Sequence, residues 1–77
     1  MTDWHVAVHN DEMNAFPVVV DVLNRVVGLT LPDAIAGAWR IHEQGSALIS
    51  STGRDAAEAI VARLHSYGID ASVGRSE

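Results

Sequence analysis

The 77-residue chain contains no cysteine, which removes disulfides, thiolate nucleophiles and thiolate metal sites together and fits a reducing compartment, with the cytoplasm as the expected setting. It has two prolines and four aromatic residues, so neither a proline-rich linker nor an extended stacking surface is on offer. Five basic residues stand against ten acidic ones, for a formal net charge of −5. That balance leaves no basic stripe to neutralise phosphates, and it argues against nucleic-acid binding. No apolar run approaches the roughly 18 residues of a membrane span, and Met1, Thr2 and Asp3 lead into a strand-like segment without a basic or apolar signal region.

What is present is a hydrophobic fraction of 48% with 19% charged residues, ordinary for a folded globular domain. The length permits one domain over residues 1–77, and a domain of this size buries only about 60% of the surface its unfolded chain exposes. Any site is therefore expected to be shallow.

Trp4 to His9 alternates around Val6 and Val8 and reads as a half-buried strand ended by Asn10 and Asp11. Val18, Val19 and Val20 have strand propensity, yet Val19, Val22, Leu23, Val26 and Val27 fall at helical spacing, which predicts a helix. Asn14 is placed to cap it through the N–H of Phe16, Pro17 sits in its first turn, and Gly28 stops it. A second helix is predicted from Thr30, with Asp33 at capping-box spacing, to Gly45, with Ala34, Ala38 and Ile41 as its inward stripe and Ile35, Trp39 and His42 adjoining. Ser46 to Ser50 reads as a second strand. Thr52 with Asp55 repeats the capping spacing before a third helix, whose buried stripe is Ala57, Ile60, Val61 and Leu64 and whose stop is Gly68; Ile69, Ala71 and Val73 then alternate as a last strand. The expected fold is α+β, a small three-stranded sheet with three helices mainly on one face, in the order β-α-α-β-α-β.

The chemistry-bearing cluster is His9-Asn10-Asp11-Glu12, at the point where the first strand breaks, with Asn14 and Phe16 just beyond. An Asn carbonyl and an Asp carboxylate converging beside an apolar wall suit an ammonium group, whose donors need acceptors and whose charge favours an anion. The plainer alternative is that Asn10 and Asp11 end the strand by bonding their own backbone. His42 lies near the end of the second helix, where the helix dipole favours a cation. His5, His9 and His42 could in principle share zinc, but their spacing matches no compact metal motif, and no metal or other cofactor is expected. Catalysis is not expected either, because there is no G-x-S-x-G elbow and a shallow domain excludes little water.

Taken in order, WHVAVHNDEMNAF, VVVDVLNRVVGL, IHEQGSALIS and AAEAIVARLHSYGIDASV resemble the ClpS family of N-end-rule adaptors across nearly the whole chain. The resemblance implies a binding module that grips the free α-amino group and bulky first residue of a substrate and delivers it to a ClpA- or ClpC-type AAA+ unfoldase. Asn10, Asp11 and His42 match the family's α-amino-binding positions, and Phe16, Val19, Ala38 and Ile41 match positions lining its apolar pocket. Asp55 and Glu58 match candidate contacts to the unfoldase, while Ile60 stands at a position that is basic in the family. Where an acidic pair and Tyr-Thr-Pro are usual, this chain has Glu12, Met13, Asn14 and Ala15. Ala38 replaces a methionine gate and is followed by Trp39, which implies a pocket that is wider than usual or refilled by Trp39 and Phe16. Relatives carry an N-terminal tail that helps hand over the substrate, whereas only Met1 to Asp3 precede the first strand here. The alternative expectation is a regulatory docking protein that keeps the fold and the unfoldase surface but has lost or altered recognition of the N-terminal residue.

Overall fold

The computed structural model describes residues 3–11 and 13–75. Strand β1 (Trp4–His9) is central in a three-stranded antiparallel sheet of order β2-β1-β3, with β2 at Ser46–Thr52 and β3 at Ala71–Arg75. Between β1 and β2 lie α1 (Phe16–Val22), continued without a break by a π-helical segment Leu23–Val27, and α2 (Leu31–Gln44). Helix α3 (Arg54–Ser66) crosses from β2 to β3.

Alternation in β1 aims Val6 and Val8 at the helices, where both are fully buried, and leaves His5, Ala7 and His9 half-buried on the other face. The core closes over them with Val22, Leu23 and Val26 from the first helical arm, Ala34, Ala38 and Ile41 from α2, and Ala57, Val61 and Leu64 from α3. Small residues on α2 let it approach closely. A Cβ on the buried Gly37 would already stand 3.4 Å from Leu23 Cδ1. In β2 the pairing slips by one residue between Val6 and Ala7, so Ile49 has no partner of its own and is turned into the core, while Leu48 faces outward beside Ala7. This bulge preserves burial of the branched side chain.

Several local details differ from the sequence reading. The first arm does run to Gly28, which adopts φ 90, but its last turn is wound as a π-helix in which the Leu23 carbonyl accepts from both Gly28 N–H and Leu29 N–H. Asn14 does not cap α1; the capping position is Ala15, with no side-chain bond, and the carbonyl of Ala15 accepts from Val18 and Val19. Thr52 is the last residue of β2 rather than a cap, and Gly53 leads into α3 without a side-chain bond. Thr30 does cap α2, accepting from the Asp33 N–H at 3.3 Å. Strand β2 runs two residues past Ser50, and Ile69 is buried ahead of β3 rather than within it. No helix among the described residues is long and apolar enough to cross a membrane.

Candidate functional site

Strand β1 delivers its last residues to one pole of the domain. There the Asn10 N–H donates to the Gly45 carbonyl at 2.8 Å, tying the strand end to the close of α2, and the His9 N–H donates to Asp70 O at 2.9 Å, tying it to the approach to β3. A shallow, solvent-open hollow lies between these elements, lined by Val8, His9, Asn10, Asp11, Asn14, Val19, Ile41 and Ile69.

Its walls are aliphatic and its rim is polar. Val8 and Ile41 are buried core residues whose surfaces form the floor, Val19 reaches in from α1, and Ile69 closes the side toward β3. The rim is dominated by the Asp11 carboxylate. Its Oδ1 accepts from Met13 N–H at 2.9 Å, from Asn14 N–H at 3.0 Å and from Asn14 Nδ2 at 3.0 Å, and its Oδ2 accepts from the same Nδ2 at 3.1 Å. These contacts fold the chain after β1 into an Asx turn and fix the carboxylate plane. A carboxylate has about four lone-pair sites; among the described residues Oδ1 is saturated and Oδ2 keeps acceptor capacity for an incoming donor. Glu12, the remaining member of the cluster, lies outside the described residues.

The structure thus brings together five of the residues singled out from the sequence: Asn10, Asp11, Asn14, Val19 and Ile41. Phe16, Ala38 and His42 do not line the hollow. Ala38 is 2% exposed within the core, one helical turn before Ile41. Phe16 and His42 flank Trp39 instead: the Phe16 ring packs on it with centroids 4.7 Å apart, and the His42 ring meets it edge-on at 6.0 Å. Trp39 is half exposed, so these three rings form an aromatic row beside the hollow rather than inside it.

Val8 and Ile69 are lining residues that the sequence did not single out, and His9, part of the strand-end cluster, lines the hollow as well. Ile69 follows the Gly68 helix stop, and its role depends on β3 lying next to β1, which local spacing does not reveal. His9 turns its Nε2 to Ser72 Oγ on β3 at 2.8 Å, so its ring is anchored across the sheet. Among the described residues no three His, Asp or Glu side chains converge to hold a metal ion.

Asp55 and Glu58 lie far from this pole in the fold order, in the first two turns of α3, and both are exposed. Glu58 Oε1 accepts from Arg54 Nε at 2.9 Å, and the Arg54 guanidinium also sits over the Trp4 ring at 5.3 Å. Ile60, further along the same helix, is half-buried against the core.

The family model described as "ATP-dependent Clp protease adaptor protein ClpS" matches residues 1–73. The chain belongs to the ClpS family. Relatives called ATP-dependent Clp protease adapter protein ClpS include that of Mycolicibacterium paratuberculosis, 30% identical over 70 residues covering 91% of this chain and 67% of the relative. That of Streptomyces coelicolor is 31% identical over 70 residues, covering 91% and 73%. Among solved structures, that of Agrobacterium tumefaciens ClpS2 bound to L-phenylalaninamide superposes with a TM-score of 0.92 at 20% identity, covering 97% of this chain and 98% of that one. The β-α-α-β-α-β arrangement is therefore the ClpS fold, and the chain is a Clp protease adaptor, not an enzyme.

Proposed function

We propose that this ClpS-family adaptor recognises the N-terminus of substrate proteins, taking the free α-ammonium at its polar rim and the bulky hydrophobic first side chain in the hollow beneath. The observation that carries this reading is the Asp11 carboxylate, fixed by three N–H donors at the mouth of an apolar recess, with one oxygen still able to accept. A free α-amine has a reference pKa near 7.7–8 and is mostly charged at neutral pH, more so beside an anion. Asn10 and His42 complete the amine site in this reading. Val19 and Ile41, with Ile69 and Val8, hold the side chain, and Asn14, Phe16 and Ala38 support the walls and rim.

A charge-assisted hydrogen bond contributes about 1.5–3 kcal/mol, and burial of one large side chain contributes a similar amount. After the cost of association, the expected affinity is micromolar, near −8 kcal/mol. Delivery is to the N-terminal domain of a ClpA- or ClpC-type AAA+ unfoldase in the cytoplasm, through a surface that includes Asp55 and Glu58 on α3.

The test is a titration with fluorescent peptides beginning Leu, Phe, Trp, Ile, Val or Gly, each with a free or an acetylated amine. Binding should require the free amine and a large apolar first residue, with measurable binding of Ile and Val. Indifference to both features removes the reading. His42, whose ring meets Trp39 rather than the hollow, favours a second reading in which the protein docks the unfoldase without reading N-termini. Silence toward every peptide, together with intact unfoldase binding, would establish that alternative.

A further inference from the structure

Asn14 stands in the amine-binding loop, and both hydrogens of its side-chain amide are committed within the protein. A carboxamide carries two N–H hydrogens. The Asn14 Nδ2 lies 3.0 and 3.1 Å from the two oxygens of Asp11 and 2.9 Å from the carbonyl oxygen of Gly68, so one hydrogen is shared across the carboxylate and the other is donated to Gly68. Its backbone N–H is also taken, donating to Asp11 Oδ1 at 3.0 Å. The two anchors belong to different parts of the chain. Asp11 follows β1, and Gly68 lies in the turn between α3 and β3, where its φ of 77 directs the carbonyl.

We infer that Asn14 is a positioning residue that acts through Asp11: it clamps the carboxylate in its receiving orientation and pins that loop to the α3–β3 turn. This inference rests on the amine-recognition reading above. Backbone N–H groups of Met13 and Asn14 already hold Oδ1, and the Asn14 amide, which spans both oxygens, adds the restraint on the carboxylate plane, so Asp11 meets an ammonium group with little ordering left to do.

The experiment is a double-mutant cycle on the intact chain, using Asn14→Ala, Asp11→Asn and the double variant. Its ligands are a peptide beginning with Phe and the same peptide acetylated. Asn14→Ala should lower the preference for the free amine by about tenfold, and by less than about twofold when Asp11 is already Asn. An equal loss in both backgrounds, or equal weakening of both peptides, would mark a merely structural role and overturn the inference. An unchanged preference would overturn it as well. If the unaltered protein itself ignores acetylation, the amine-recognition reading fails and takes this one with it, so the two failures are distinct. Should Asn14→Ala unfold, the unaltered protein supplies a second readout: the Asn14 side-chain amide protons should be protected from hydrogen exchange with and without peptide. Rapid exchange of both in the free protein would exclude the clamp.

Discussion

Two acidic regions of this adaptor use the same functional group in opposite ways. At the strand-end pole, Asp11 is half-buried and its oxygens receive backbone and carboxamide donors from a turn that is itself tethered to a distant carbonyl. On α3, Asp55 and Glu58 are exposed at the start of a helix, and the one partner of Glu58 among the described residues is Arg54 on the same helix. A carboxylate of the first kind presents one oxygen in a fixed direction at short range, which suits a small cation of defined geometry. Carboxylates of the second kind offer a field that salt screens and that tolerates imprecise approach, which suits steering a large partner.

The comparison is broken most severely at Asp11. Asp11→Asn keeps the size of the side chain but removes its charge, and it should weaken binding of a free-amine Phe peptide about 10–100-fold, the range of one charge-assisted hydrogen bond. Fluorescence anisotropy reads this directly, and a change below about threefold would place the amine elsewhere.

Next in size is the effect of pH on the ligand. Because the nearby carboxylate raises the amine's pKa in the complex, affinity should be complete below about pH 7.7 and fall as pH rises through the bound amine's value. The loss should run at up to about tenfold per pH unit between the free and the bound values and level off above the bound value, and the acetylated peptide should show no such slope. Gly68→Ala comes third. No atom lies within 4 Å of the added Cβ, so the cost is the left-handed backbone alone, about 1–2 kcal/mol in a denaturant titration. Part of the preference for a free amine should go with it. The smallest effect is expected on the other side of the comparison: Glu58→Gln should change stability by less than about 0.5 kcal/mol and leave peptide binding untouched. It should weaken unfoldase docking a few-fold, more at low salt than at high salt.

Most of the architecture was legible because strong periodicity and glycine stops coincide. Val6 and Val8 in β1, the Ala34–Ala38–Ile41 stripe with Thr30 and Gly45 at its ends, and Ala57–Val61–Leu64 all take the roles their spacing dictates. What failed was capping by short polar residues away from such stripes. Asn14 and Thr52 both carry the right side chain for a cap, but a tertiary acceptor at Gly68 claims the first and sheet pairing opposite Trp4 claims the second. The π-wound turn was equally hidden, since it follows from where Asn24 Nδ2 and two amides find carbonyls rather than from residue type. At the site, the polar rim was readable in Asn10 and Asp11 because both are adjacent in sequence. The floor was only half readable, because Val8 and Ile69 are neighbours through strand order alone.

The row of rings beside the hollow has an optical consequence. The chain holds two indoles in separate settings: Trp4 lies at the start of β1 beneath Arg54, while Trp39, on α2, stands between Phe16 and His42. With Trp4 replaced by Phe, the remaining emitter would report from the Phe16–Trp39–His42 row alone. Occupancy could then be followed by the colour and intensity of the protein's own ultraviolet emission, with no dye on either partner.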